Sequence, residues 1–153
     1  MSTSPTSPTF SAPVLGQAEK ALNAILDRQL SGTGLTEHQW ITLTLTVGSA
    51  GADGTVERDQ LVSRVAGGLK VSETDAQARV AELAAAQLLQ APDGEGPTVT
   101  VTDAGQRLHR QIAGAVTQIT QRLWGDLPAE DLATAGRVLS TVLARANAEL
   151  TAA

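Results

Sequence analysis

The stretch LLQAPDGEGPTVTVT, residues 88–102, predicts a β-hairpin in a chain that is otherwise helical in pattern. Asp93-Gly94 is a dipeptide typical of tight hairpin turns. Valines at 99 and 101 alternate with threonines, which is the period of two expected for a half-buried strand. The hairpin contains Asp93 and Glu95 and no Arg or Lys, so it presents negative charge.

Two helices are predicted in the first third of the chain. Residues 14–30 have apolar side chains at three- and four-residue spacing, which predicts an amphipathic helix. Thr36 and Gln39 form the pattern T-x-x-Q of a capping box, so a second helix is expected to begin there and to run past Trp40.

Two further helices are predicted between the second helix and the hairpin. A short helix is expected from about Thr55 to Ala66, ended by Gly67-Gly68. Ser72 is a good N-cap for a longer helix. The expected buried face of that helix consists of Ala76, Val80, Leu83 and Leu88.

The segments at the two ends of the chain have long apolar stripes. Residues 103–150 read as two long helices with near-heptad spacing, and residues 14–30 read as a third. A central block of residues 36–102 is too small to cover all three stripes, so we expect both ends to form a two-fold dimer interface. The predicted fold class is mostly α with a small β-hairpin wing: a winged helix-turn-helix with N- and C-terminal dimerisation helices. Residues 1–13 are predicted to be a disordered tail, and residues 14–153 a single domain.

Five motifs in order give the chain a resemblance to the MarR family of winged helix-turn-helix transcription regulators. They are GLTEHQWITL, ERDQLVSRV, SETDAQARVAELAAAQLL, VTVTDAGQRL and LPAEDLATAGRVLSTVL. The resemblance implies a homodimer that binds a pseudo-palindromic operator in double-stranded DNA and responds to a small aromatic or apolar effector. The chain departs from the family pattern at Gly94 and Glu95, where the wing usually has Arg, and at Gln87, where Gly is usual.

The helix after Ser72 would be the DNA-reading helix of such a protein. Gln can pair with adenine, and Thr can contact a thymine methyl group or a phosphate. The alternative is a solvated helix face with no DNA role. The candidate base-side residues are Ser72, Thr74, Gln77 and Arg79, with Arg64 and Lys70 for the DNA backbone.

The charge of the central block favours a second hypothesis. Residues 55–102 contain four basic and seven acidic residues, a net charge of −3, whereas DNA-reading domains usually present a basic face. Glu73 and Asp75 can be explained as partners of a helix N-terminus, but Asp93 and Glu95 cannot. The rival is therefore a winged-helix dimer with weakened DNA binding that serves as a small-molecule-binding or protein-interaction module.

His38 and Trp40 are the candidate residues of the effector pocket that the resemblance implies. The alternative is that they are ordinary core or surface residues. The chain has no cysteine, and its two histidines lack partners at ligand spacing, so neither a structural metal nor a cofactor is expected. Because no catalytic motif, signal peptide or membrane-length apolar run is found, we predict a cytoplasmic protein that is not an enzyme.

Overall fold

The computed structural model describes residues 8–91 and 96–152, and within these ranges it has six α-helices and a small antiparallel sheet. The elements are α1 (Ala12–Leu30), α2 (Glu37–Ser49), β1 (Thr55–Glu57), α3 (Arg58–Leu69), α4 (Glu73–Ala85), β2 (Leu89–Gln90), β3 (Thr98–Val101), α5 (Asp103–Trp124) and α6 (Ala129–Thr151). The predicted fold class, mostly helical with a small β wing, is confirmed. The predicted turn at Asp93-Gly94 and the acidic Glu95 lie outside the described residues.

The first helix begins two residues before the predicted boundary at Val14. Ser11 has extended backbone angles, and its hydroxyl oxygen accepts a hydrogen bond from the Val14 N–H at 3.4 Å. Pro13 suits the first turn because a helix leaves the N–H groups there without partners. The chain is therefore helical from Ala12, so the last two residues of the segment predicted as a tail belong to α1.

The helix predicted from Thr55 to Ala66 is displaced toward the C-terminus. Residues 55–57 form β1, which pairs antiparallel with β3 so that Val56 lies opposite Val99. Helix α3 then continues through Gly67 and Gly68 to Leu69. The turn comes one residue later, at Lys70, whose φ of 57° is left-handed. Leu69 packs against the core, and this burial outweighs the weak helix propensity of the two glycines.

The recognition helix predicted after Ser72 ends earlier than its apolar pattern suggests. Leu88 is buried, but it lies beyond α4, which ends at Ala85. The chain turns at Gln87, whose φ of 64° is left-handed, and the Leu88 N–H then bonds the Leu83 carbonyl at 3.0 Å. A left-handed residue that closes a helix in this way is usually glycine.

Replacing Gln87 with glycine is therefore expected to stabilise the protein by about 1 kcal/mol, because glycine adopts a left-handed φ without strain. Gln77→Gly is the matched control: it changes the same residue type inside α4 and should destabilise by about 1 kcal/mol. Urea unfolding followed by circular dichroism measures both. A loss of stability in Gln87→Gly would show that the turn is not strained.

The helices and strands enclose two buried clusters. The first lies among α2, α3, α4 and the sheet, and its most buried members are Leu43, Leu61, Val65, Val80, Leu83 and Val99. The second consists of Leu30, Trp40 and Ile112, from α1, α2 and α5. The sheet has the strand order β1-β3-β2, so β3 is its central strand.

The chain divides into two compact units, residues 1–116 and 117–153, and both clusters belong to the first. In the second unit, α6 has no buried residue. Its exposed large apolar side chains are Leu132, Val138, Leu139, Val142, Leu143 and Leu150. Over the part of the chain that is described, every helix falls short of the length and apolar character that a membrane crossing needs.

Candidate functional site

Helix α4 is fixed by its cap and by its buried face. The Ser72 hydroxyl accepts a hydrogen bond from the Asp75 N–H at 3.1 Å, and Glu73 and Asp75 lie in the first turn, where the helix dipole favours negative charge. Ala76 and Val80 face the core. Ser72, predicted as a base-side residue, is therefore above all an N-cap.

The opposite side of α4 is a surface of small and polar side chains. Thr74 and Gln77, three residues apart, are both exposed, as the sequence predicts. Ala81 and Ala85 continue the exposed side toward the C-terminus. Small side chains let a helix approach a partner closely, and no bulky side chain stands at these four positions.

Arg64 and Lys70 lie beyond α4, and both are exposed. The Arg64 Nη1 donates to the Ser49 hydroxyl at 2.6 Å, and the Lys70 Nζ donates to the Gly67 carbonyl at 2.8 Å. Each bond is to a neutral oxygen at the surface, so a phosphate can replace that oxygen at small cost.

Arg79 is in a different position from the other candidates. Its Nη2 pairs with Glu82 Oε1 at 2.8 Å, and 29% of its side chain is exposed. The other carboxylate oxygen of Glu82 accepts from Gln39 Nε2 at 2.8 Å. The sequence predicts that Arg79 is available to contact DNA. In the structure its guanidinium is instead paired with a carboxylate of the same helix.

Arg58 connects α3 to the segment before β3, a contact that the sequence did not reveal. Its backbone N–H donates to the Pro97 carbonyl at 2.9 Å and its Nε to the Gly96 carbonyl at 3.0 Å. The start of α3 is thereby tied to the residues just before β3. Arg58 directly follows β1, so only the pairing of β1 with β3 could have indicated this contact.

The motif TDAG, residues 102–105, joins the sheet to α5. The Thr102 hydroxyl donates to the Gln87 carbonyl at 2.7 Å and accepts from the Gly105 N–H at 3.0 Å. A Cβ on residue 105 would lie 2.2 Å from the Leu88 carbonyl oxygen, so only glycine allows this approach. The motif therefore holds α5 against the chain between α4 and β2.

This arrangement is similar to that of solved transcription regulators. A MarR family transcriptional regulator from Silicibacter pomeroyi superposes with a TM-score of 0.71 at 18% identity, over 88% of this chain and 88% of that one. NadR in complex with 4-hydroxyphenylacetate gives 0.67 at 18% identity, over 93% and 97%. The chain has the MarR fold.

A further protein with the MarR fold is CouR from Rhodococcus jostii RHA1 bound to p-coumaroyl-CoA. It gives a TM-score of 0.68 at 17% identity, over 84% of this chain and 88% of that one. No protein-family model and no curated protein sequence matches the chain. At these identities the likeness establishes the fold, as the motifs predicted.

The second buried cluster contains Trp40, which forms an aromatic pair with His109. Trp40 is 8% exposed and stacks on the His109 ring, with centroids 5.2 Å apart and planes 21° apart. His38 lies on the exposed side of α2, because two residues along a helix correspond to about 200° of rotation. The structure thus pairs Trp40 with His109 and not with His38. The sequence signal was the place of His109 between Leu108 and Ile112 on the apolar side of α5.

Burial lowers the pKa of His109, because the charged imidazole loses solvation in the cluster. Between the unfolded pKa of about 6.5 and the lowered folded pKa, the unfolded chain binds more protons, so stability falls as pH falls through that interval. His109→Phe, which retains an aromatic ring beside Trp40, should flatten this dependence in thermal melts from about pH 7 to pH 5.

His38→Asn is the control for the loss of a histidine, since it leaves His109 in place and should retain the pH dependence. A His109→Phe variant that loses stability toward acid as steeply as the wild type would contradict this assignment.

Proposed function

We propose that the protein is a homodimeric DNA-binding transcription regulator that responds to a small effector and is not an enzyme. In this proposal α4 of each subunit enters the major groove at one half of a pseudo-palindromic operator. The observation that supports it best is the MarR fold combined with the exposed, small-residue side of α4 that bears Thr74 and Gln77.

The contacts are assigned by chemistry. Gln77 is proposed to pair with an adenine edge, and Thr74 to contact a thymine methyl group or a phosphate. Arg64 and Lys70 are proposed to exchange their neutral intramolecular oxygens for phosphate oxygens. Ser72 is proposed to support these contacts as the cap of α4.

The dimer is supported by apolar side chains that the monomer leaves exposed at both ends of the chain. On α1, Val14 is 48% and Leu22 is 40% exposed, and on α6 Leu143 is 57% exposed. Large apolar side chains left exposed in this way on a helix are typical of an interface. Two copies that bury these stripes about a two-fold axis would place two α4 helices on one duplex.

The effector is proposed to be a small, mostly apolar aromatic molecule that binds at the cluster of Trp40 and His109. Support comes from the aromatic ligands named with NadR and CouR and from the stacked pair itself. The test follows Trp40 emission in a Trp124→Phe background during titration with a panel of aromatic acids. If no compound changes the emission or raises the melting temperature, the effector site is refuted.

The rival function is a winged-helix dimer with weakened DNA binding that acts as a ligand-binding or interaction module. It is favoured by the acidic central block and by the intramolecular partners of its basic residues. Binding to genomic fragments at low salt, with and without competitor DNA, separates the two functions. Enrichment of a shared sequence that survives competitor supports the regulator, and binding that competitor abolishes supports the rival.

A further inference from the structure

We propose that Glu82 is a positioning residue that restrains Arg79 and thereby weakens the DNA affinity of α4. The inference rests on the proposed function, because it concerns how α4 meets a duplex. In this proposal the Glu82 carboxylate competes with a DNA phosphate for the Arg79 guanidinium. Glu82 and Arg79 both lie on α4.

The geometry shows that both oxygens of the Glu82 carboxylate are in use. Oε1 pairs with Arg79 Nη2 at 2.8 Å, and Oε2 accepts from Gln39 Nε2 at 2.8 Å. Gln39 is itself fixed, because its Oε1 accepts from the Thr36 N–H at 3.0 Å in the capping box of α2. The carboxylate is therefore held from α2 and cannot follow Arg79 outward without breaking that bond.

Arg79 has hydrogen-bonding capacity that the ion pair does not use. Within the described residues, its Nε is buried and has no hydrogen-bond partner. The side chain as a whole is nevertheless 29% exposed, so a ligand can approach part of it. A phosphate offers several acceptor oxygens to a planar guanidinium, whereas the bound carboxylate offers Arg79 only one.

Arg79 determines whether α4 presents any positive charge to DNA. The sequence of α4, ETDAQARVAELAA, contains a single basic residue, Arg79, and three acidic residues. While Glu82 neutralises Arg79, the side-chain charges that remain on α4 are those of Glu73 and Asp75, and both are negative. An ion pair between partly exposed side chains is weak, so a phosphate that approaches Arg79 can replace Glu82. The competition lowers affinity without removing it.

The experiment is a double-mutant cycle with Glu82→Gln, Arg79→Gln and the double variant. The binding constant of each is measured at several salt concentrations on two duplexes: one that carries the sequence enriched from genomic fragments (the enriched duplex) and one of random sequence. Glu82→Gln is expected to strengthen binding to both. It should steepen the slope of log K against log salt by up to about 2 for a dimer, since each neutralised phosphate contributes about 0.9. In the Arg79→Gln background the same substitution should leave the slope unchanged.

Glu73→Gln is the matched control, since it removes the same charge from the same helix but does not touch Arg79. An unchanged slope in Glu82→Gln, or an equal change with and without Arg79, would overturn the inference. If the wild type shows no sequence preference while Glu82→Gln steepens the slope, the proposed function fails and the restraint stands. If no variant binds DNA at low salt, both are refuted.

Discussion

Replacement of Gly105 by alanine is expected to lower the free energy of unfolding by about 3 kcal/mol or more, because the added Cβ would collide with a backbone carbonyl group. The added Cβ would lie 2.2 Å from the Leu88 carbonyl oxygen and 3.0 Å from Val101 Cγ1. The Leu88 carbonyl cannot move away easily, because the Leu88 N–H bonds the Leu83 carbonyl and the Leu88 carbonyl itself accepts from the Thr102 N–H at 3.1 Å. Urea unfolding at equilibrium measures the loss.

Gly67→Ala provides the control for this prediction. Its Cβ would meet no neighbouring atom within 4 Å in the described part of the chain, and Gly67 lies within α3. Helix propensity alone then predicts a gain of about 0.5–1 kcal/mol. Equal effects of the two substitutions would show that α5 does not approach Leu88 as closely as described.

Leu139→Glu on α6 is expected to convert the proposed dimer into a monomer. Leu139 is 41% exposed in the monomer, and α6 buries no side chain within its own chain. Burial of leucine contributes about 2 kcal/mol, and a two-fold interface counts it twice. The loss of both contacts, with two buried carboxylates added, should raise the dimer Kd by at least about a thousandfold. Sedimentation equilibrium should then give the chain mass of 15.8 kDa instead of twice that mass.

Ala148→Glu is the matched control on the same helix. Ala148 lies nine residues from Leu139, which corresponds to about two and a half turns and places it on the opposite side of α6. This variant should remain a dimer. A monomeric wild type, or a Leu139→Glu variant that stays dimeric at micromolar concentration, would contradict the proposed interface.

Local signals in the sequence predicted most of the helices of this chain. The capping box of Thr36 and Gln39 is present as predicted, and Ser72 caps α4. Both signals involve residues three positions apart, so they can be recognised in the sequence alone. Strand β1 was missed because three residues are too few to show an alternation of apolar and polar side chains. Its conformation depends on pairing with β3, more than forty residues away.

The candidate site was predicted in part for the same reason. The exposed positions of Thr74 and Gln77 follow from helix spacing, since the buried residues of α4 fix its opposite side. The contact of His109 with Trp40, and that of Gln39 with Glu82, join segments far apart in the chain. Only the packing of α2 against α4 and α5 determines them, so the sequence pointed to His38 instead.

The central claim is that α4 reads bases, and the direct measurement compares affinity for the enriched duplex with affinity for a random duplex at one salt concentration. We expect the wild type to prefer the enriched duplex by about a thousandfold or more. Gln77→Ala should reduce this preference by about ten- to a hundredfold for each half-site, while binding to random DNA stays unchanged. Equal affinity of the wild type for the two duplexes, or a preference that Gln77→Ala leaves intact, would contradict the assignment of α4 as the recognition helix.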